Sequence, residues 1–332
     1  MQKRKTALRI AAIFAVVALF ASYNAAIYVL VTRRCGNNYS SGSNPKMVDV
    51  GKYLPFEDGS ELARVETDVK LGGDLPVLDG AAALVPVYAS FINAIYPEGC
   101  VTYEGGVFSD DNYYGENFAA DSAMQYKNTV RGYKAVVDGD TDVFFCTKPS
   151  AEQHKYADEQ GVELEFVPIG LEAFVFFVNA NNPVEDLSCE QIRGIYAGEY
   201  SKWSEVGGAD RYINPMTRLA GSGSQTAMEA FMKDKTIADK RLTSYLGAAI
   251  GYSFRYYMTG MVGNSGVKMI SLNGVYPSEE NIRSGQYPVI TTFYAIYRKD
   301  NGNENVKTLI DFILSPAGQR LINESGYVGI NG

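Results

Sequence analysis

A short stretch in the second half of the chain places an arginine close to a turn rich in serine and glycine. Arg218 stands four residues before Ser222-Gly223-Ser224, and a helical pattern begins near Ser224. Glycine lets the backbone bend so that successive N–H groups converge, and a helix start adds unpaired N–H donors at the positive end of its dipole. The serine hydroxyls and the guanidinium can donate further hydrogen bonds. These residue types at this spacing could therefore bind a small anion.

Other sites built on similar turns need residues that this stretch lacks. A Walker loop needs a lysine directly after its second glycine, whereas the next lysine here is Lys233, and a dinucleotide loop needs a third glycine where Thr226 stands. A serine nucleophile needs a glycine two positions away on each side and a base to activate it. The only histidine, His154, lies in a separate polar stretch where we expect a solvated side chain. The sequence therefore disfavours a hydrolase.

An ordinary capped helix is the alternative to an anion site. Thr226 and Glu229 have the spacing of a capping box, which would need no ligand. Spacing alone leaves both interpretations open.

Size and charge limit the possible functions. The chain has 332 residues, of which 46% are hydrophobic and 20% are charged, so it is long enough to bury a large core and to form two lobes. A net charge of −8 argues against a nucleic-acid partner, because contacts to the phosphate backbone need a basic surface. The four cysteines show no C-x-x-C spacing, and we expect neither a metal site nor a cofactor.

The N-terminus predicts a membrane anchor. No charged residue occurs from Ile10 to Thr32, and a run of that length can cross a hydrocarbon core of roughly 30 Å. Four basic residues precede this run and two follow it, which favours a cytoplasmic stub over 1–9 and a single span over 10–32, with the rest of the chain outside the cell membrane. A cleaved signal peptide is the alternative, because three alanines lie near a suitable cleavage position.

The rest of the chain has the pattern of an α/β protein. Residues 33–73 are rich in small, polar and charged residues, and we interpret them as a linker. Short apolar runs then alternate with amphipathic stretches, which predicts strands separated by helices. The clearest examples are "LPVLDGAAALVPVYASFINAIYP", "TDVFFCTKPS", the apolar run from Ala173 to Val178 and "NVKTLIDFILSPAGQRLI".

The turn and its surroundings resemble the substrate-binding proteins of phosphate ABC transporters, a family with the type II periplasmic-binding fold. In that family an Arg-x-x-x-Ser-Gly-Thr turn binds phosphate, and Arg218, Ser222, Gly223 and Ser224 occupy the matching positions. Four further blocks carry the resemblance across nearly the whole ectodomain: "DGAAALVPVYASFINAIYP", "DTDVFFCTKPS", "NNPVEDLSCEQIRGIYAGEYSKWSEVGG" and "NGVYPSEENIRSGQYPV".

The resemblance implies a fold and a site. It implies two α/β lobes that close on a ligand, lobe one from 74–169 plus 288–332 and lobe two from 170–287, with a hinge near Pro168 and Pro288. It also implies that the backbone amides of Ala82 and Ala83, together with Thr147, would face the anion from lobe one.

Three departures from the family pattern concern the ligand. Ala81 and Ala82 stand where the family carries Ser-Thr, and Cys146-Thr147 stands where Ser-Ser or Ser-Asp is usual. The segment "EGGVFSDDNYYGENF", with Asp110 and Asp111, replaces a turn rich in glycine and serine. The resemblance therefore implies a phosphate site with fewer hydroxyl donors and altered affinity or selectivity.

We expect a membrane-anchored, extracytoplasmic solute-binding protein that is not an enzyme. Its favoured ligand is phosphate or another small oxyanion, and its partner is the permease of an ABC transporter. An anchored sensor or interaction module with the same fold is the alternative. The segment "GYSFRYYM", with Tyr252, Arg255, Tyr256 and Tyr257, could line the cleft or pack beneath lobe two, and packing is the favoured interpretation.

Overall fold

The structure is a computed structural model that describes residues 15, 17–24, 26, 49–105, 117–263 and 266–330. The predicted cytoplasmic stub, most of the predicted span over 10–32, and Asp110 and Asp111 lie outside these residues. Within the described part of the chain, no helix combines the length and the apolar character that a membrane span requires.

The first half of the fold begins with a strand, a tight helical turn and a helix, as the sequence predicts. Its strands are β1 (Leu78–Gly80), β2 (Tyr103–Gly105), β3 (Asn117–Phe118), β4 (Val143–Thr147) and the start of the long β5 (Leu164–Asn179). Its helices are α1 (Val85–Ile95), α2 (Asn128–Asp138) and α3 (Ala151–Gln160), and a 3-10 turn (Ala82–Leu84) leads into α1.

The second half begins within β5, and the chain then returns to the first half. The strands that follow are β6 (Asp186–Leu187), β7 (Ile213–Pro215), β8 (Ala248–Phe254), β9 (Val267–Met269), β10 (Ser271–Leu272), β11 (Ile290–Arg298) and β12 (Val328–Gly329). The helices are α4 (Cys189–Tyr196), α5 (Gly223–Met232), α6 (Glu279–Arg283), α7 (Glu304–Leu314) and α8 (Pro316–Glu324), with a π-helix (Tyr257–Val262) directly after β8.

Strand β5 joins the two halves. The main sheet has the order β1-β4-β11-β5-β8-β7, and β9 and β12 also pair with β5. Residues 164–173 of β5 pair with β11, and residues 174–178 pair with β8. The predicted lobe boundary between residues 169 and 170 therefore falls inside a continuous strand.

Short-range signals explain several of these elements. Ser150 and Ser188 cap α3 and α4, and in each case a glutamine three residues later completes a capping box. The buried strand β4 has the sequence VFFCT, which suits a position between two neighbouring strands. The predicted C-terminal helix is interrupted, because Ser315 ends α7 and caps α8 while Pro316 occupies the first turn of α8.

Several residues within 49–73 pack into the core, which differs from the predicted linker. Val50, Tyr53, Leu62 and Leu71 are each at most 7% exposed and belong to the main hydrophobic core. The Lys70 ammonium also donates a hydrogen bond to the carbonyl of Ala94 at the end of α1 (2.6 Å). The sequence did not reveal this packing, because only Val50 and Tyr53 have helical spacing, within one short 3-10 turn, while Leu62 and Leu71 lie in mostly polar stretches.

A glycine permits the close approach of β11 and β5 at the junction. A Cβ atom at Gly170 would lie 2.2 Å from the ring of Phe293, and that ring is fully buried. Glycine is needed here for space, because the close-packed ring cannot move aside.

We therefore expect Gly170→Ala to lower the free energy of unfolding by about 1–3 kcal/mol, the usual cost of overpacking a core. Gly72→Ala is the matched control, because a Cβ atom there would have no neighbour within 4 Å. Urea denaturation measures both variants. Equal stability of the two variants would contradict the packing described here.

Candidate anion-binding site

The Ser-Gly-Ser turn forms the start of α5. Ser222 is the N-cap residue, and its Oγ accepts a hydrogen bond from the N–H of Gln225 (3.3 Å). The amides of Gly223 and Ser224 are the first two of the helix and therefore have no acceptor within it. The predicted capping box at Thr226 and Glu229 is wrong, because the helix begins earlier and the Thr226 N–H bonds the Ser222 carbonyl instead.

The hydroxyl of Ser222 is already engaged in the turn. It accepts from Gln225 and donates its hydrogen to the carbonyl of Leu219 (2.8 Å). A hydroxyl has one hydrogen, so in this arrangement Ser222 acts as a cap, whereas the sequence predicts a donor to the anion.

A small cavity brings residues of the two halves together. Three of the predicted site residues line it, namely Ala83, Thr147 and Gly223. The remaining walls come from Ala81, Leu84, Glu172, Phe254, Phe293 and Tyr327. About 20 Å³ is open to the centre of a water molecule, roughly the space for one water, so a tetrahedral oxyanion can enter only if the walls move apart.

Two threonine hydroxyls face the start of α5 across this junction. A Cβ atom on Gly223 would lie 3.7 Å from Oγ1 of Thr147 and 3.9 Å from Oγ1 of Thr129. Thr147 ends β4, and Thr129 is the second residue of α2. Thr129 is not among the residues predicted from the sequence; it is buried, and its hydroxyl also donates to Oδ1 of Asn128 (3.4 Å).

The other predicted residues lie beside the cavity. Ala82 begins the 3-10 turn, and Ser224 is the second residue of α5, but neither is part of the cavity wall. Arg218 is an exposed residue whose guanidinium faces the hydroxyl of Tyr257. In the part of the chain that the structure describes, no carboxylate oxygen lies within 4.0 Å of this guanidinium.

A buried carboxyl group borders the cavity. Glu172 lies on β5, and its two oxygens accept hydrogen bonds from the N–H groups of Ala173 (2.9 Å) and Tyr256 (3.2 Å). Burial raises the pKa of Glu172 to about 7, although the Arg255 guanidinium, whose Nε lies 3.7 Å from Oε1, opposes the rise. This buried carboxyl could not be predicted from the sequence, since one acidic residue in an apolar strand does not show which side it faces.

A second buried carboxyl group supports the start of α2. Oδ1 of Asp79, on β1, accepts from the N–H groups of Gly80 (2.7 Å) and Lys127 (3.0 Å), while Oδ2 is buried without a hydrogen-bond partner. Burial raises its pKa to about 6. Among the described residues, no group of three or more His, Cys, Asp or Glu side chains is arranged to hold a metal ion.

Comparison with known proteins identifies the family. A family model described as "PBP superfamily domain" matches residues 110–317. The chain belongs to the PBP superfamily. This PBP superfamily member is 25% identical over 237 residues to the "Phosphate-binding protein PstS" of Bacillus subtilis (strain 168), an alignment that covers 66% of the chain and 75% of the relative.

Solved structures show the same fold. A crystal structure of a candidate phosphate ABC transporter substrate-binding protein with bound phosphate, from Clostridium perfringens, has a TM-score of 0.56 and 22% identity, and it covers 77% of this chain and 100% of that one. An ABC-type phosphate transport receptor from Vibrio cholerae has a TM-score of 0.52 and 21% identity, covering 76% and 99%. These matches confirm the two-lobed α/β fold of the PBP superfamily and the resemblance drawn from the sequence.

The pKa of Glu172 predicts how the stability of this PBP superfamily member depends on pH. The folded protein holds the Glu172 proton up to about pH 7, whereas the unfolded chain releases it near the ordinary glutamate pKa of 4.5. The stabilisation by this group is therefore complete below the unfolded pKa and is lost as the pH rises through the folded pKa. We expect a loss on the order of 3 kcal/mol across this window.

The test measures the free energy of unfolding in urea between pH 4.5 and 7.5. We expect Glu172→Gln to make this free energy depend less on pH. Glu98→Gln, at an exposed position, is the control and should leave the pH dependence unchanged. The decisive quantity is the slope of the free energy of unfolding against pH. A change in stability that is the same at every pH would reflect only the altered hydrogen bonds of the glutamine. A slope equal to that of the unmodified chain would show that the carboxyl is not held in its neutral form.

Proposed function

We propose that this chain is the extracytoplasmic solute-binding component of an ABC transporter and that it captures a small oxyanion, with phosphate as the favoured ligand. The observation that carries this proposal is the convergence of donors from both halves on one cavity. Gly223 at the start of α5 and Thr147 at the end of β4 line the cavity from opposite halves. The amide of Ser224 lies beside it, and the hydroxyl of Thr129, which also donates to Oδ1 of Asn128, lies near Gly223.

The chemistry of these donors suits a tetrahedral anion. Unpaired amides at a helix start, together with hydroxyl groups, can surround several oxygens without bringing a full charge. Arg218 lies at the turn that precedes α5 and would add one positive charge. Because the chain has a net charge of −8, its overall charge repels an anion, and only a local group of donors with a positive charge can attract one.

Capture requires the two halves to move. The cavity is too small for an oxyanion, and the halves meet at the strands β5 and β11, which would serve as the hinge. Domain closure around a ligand at such strands is a common mechanism, and it would bring lobe one (74–169 plus 288–332) and lobe two (170–287) together on the anion.

The names of the relatives support phosphate as the ligand and an ABC permease as the partner. The Bacillus subtilis relative is named as a phosphate-binding protein, and both structural neighbours carry a phosphate transport description. We also propose the single membrane span over residues 10–32, with residues 1–9 in the cytoplasm, on the strength of the uncharged run and its flanking basic residues.

An anchored sensor or interaction module is the second candidate. Ala81 and Ala82 place methyl groups where the resembled family carries hydroxyls, which favours weaker binding than transport requires. The two candidates differ in affinity and in their dependence on a permease.

The central test measures phosphate binding to the purified full chain by isothermal titration calorimetry. Arg218→Ala should weaken binding by about 10- to 100-fold, since a charge-assisted hydrogen bond contributes roughly 1.5–3 kcal/mol. Arg211→Ala, which removes an exposed arginine of the same half, is the control and should bind as the unmodified chain does. An unchanged affinity of Arg218→Ala would remove this residue from the site.

Gly223→Ala tests the donor surface itself. The new Cβ atom would lie 3.7–3.9 Å from its nearest neighbours, an ordinary contact, so we expect the protein to fold with unchanged thermal stability. The methyl group would nevertheless stand between the amides of α5 and the two threonines, and we expect phosphate affinity to fall by at least about tenfold. Retained affinity would place the ligand elsewhere.

A further inference from the structure

Two tyrosines that are close in the chain lie beside different parts of Arg218, one at its backbone and one at its guanidinium. The backbone N–H of Arg218 donates to the hydroxyl of Tyr252 on β8 (3.1 Å) and to Oε1 of Gln225 on α5 (3.1 Å). The Tyr252 hydroxyl donates in turn to the same Gln225 oxygen (2.5 Å). The main chain of Arg218 is therefore fixed to β8 and to the helix that begins at the anion-binding turn.

The second tyrosine lies beside the charged end. The Tyr257 hydroxyl faces the guanidinium of Arg218, whose positive charge opposes the rise in the Tyr257 pKa, and Tyr257 is only 8% exposed. Tyr257 opens the π-helix that follows β8, a type of helix that occurs often at functional sites. Phe254, which stands between the two tyrosines in the chain, lines the cavity, so the same segment borders the place where the donors converge.

These partners orient Arg218 without neutralising its charge. Burial raises the pKa of Tyr252 to about 12 and also raises the pKa of Tyr257, so both phenols are neutral at physiological pH. The ionisable groups that face Tyr252 are Arg218 and Glu229, and Arg218 faces Tyr257. A carboxylate in either place would compete with an anionic ligand for the guanidinium, whereas a neutral hydroxyl leaves the charge available.

We propose that Tyr252 and Tyr257 are positioning residues for anion capture, which hold the main chain and the guanidinium of Arg218 ready for the ligand. This inference rests on the proposed function of the site. It assigns a role to the aromatic segment that follows β8, for which packing alone was the favoured interpretation from the sequence.

The test is a double-mutant cycle read by calorimetry with inorganic phosphate on the full chain. Tyr252→Phe and Tyr257→Phe should each weaken phosphate binding by about three- to tenfold, the effect of losing one neutral hydrogen bond. In the Arg218→Ala background the same substitutions should change affinity less than about twofold, because they act through the arginine.

Tyr196→Phe is the matched control. Tyr196 is buried in the same aromatic cluster, with its ring 5.6 Å from that of Tyr252, and its hydroxyl donates to the carbonyl of Ile250 (3.2 Å) rather than to Arg218. We expect this variant to lose thermal stability as Tyr252→Phe does but to keep the phosphate affinity of the unmodified chain. The comparison separates positioning from packing.

The outcomes distinguish the two levels of the proposal. Absence of phosphate binding by the unmodified chain, or equal binding by Arg218→Ala, would overturn the proposed function and this inference with it. Weak binding by Arg218→Ala together with full affinity of both tyrosine variants would overturn the positioning role alone. The positioning role would also be overturned if the tyrosine substitutions reduced phosphate affinity equally in the Arg218→Ala background. The tyrosines would then act directly on the ligand or on the fold.

Discussion

The structure depends on one strand shared by two halves. Strand β5 pairs with β11 along its first part and with β8 along its second, so both halves of the main sheet are built on the same backbone. At the junction, Gly170 admits the Phe293 ring where a larger residue would collide with it. This arrangement brings the end of β4 and the start of α5 to the same cavity, although Thr147 and Gly223 are 76 positions apart in the chain.

The electrostatic character of the junction follows from burial. Gly223 and Thr147 lie at the cavity wall with neutral amide and hydroxyl groups, and the neutral phenol of Tyr252 accepts a hydrogen bond from the Arg218 N–H. Glu172 borders the same cavity, where burial favours its protonated form. An ionised carboxylate beside an anion would repel it, so the low polarity around Glu172 is compatible with a site for negative charge in an acidic protein.

Much of the fold could be predicted from local patterns. The strand, turn and helix that begin at Leu78, the buried strand β4 and the long strand β5 are confirmed, because apolar runs bounded by turn residues are strong local signals. The helix that starts at the Ser-Gly-Ser turn is confirmed as well; it ends at Met232, and a short 3-10 helix, Leu242–Leu246, follows later in the chain. The packing of residues 49–73 was missed, since it depends on contacts with distant helices.

By itself, the sequence determined the fold class, the family resemblance and the position of the turn at Arg218 to Ser224, since these depend on short-range patterns and residue types. Only the tertiary structure decided how the turn is used. It showed that the Ser222 hydroxyl caps a helix, that Thr129 lies near Gly223, and that the Tyr252 hydroxyl accepts a hydrogen bond from the Arg218 N–H. The physical reason is that a side chain's single hydrogen bond, or its direction into a cavity, is fixed by neighbours far away in the chain.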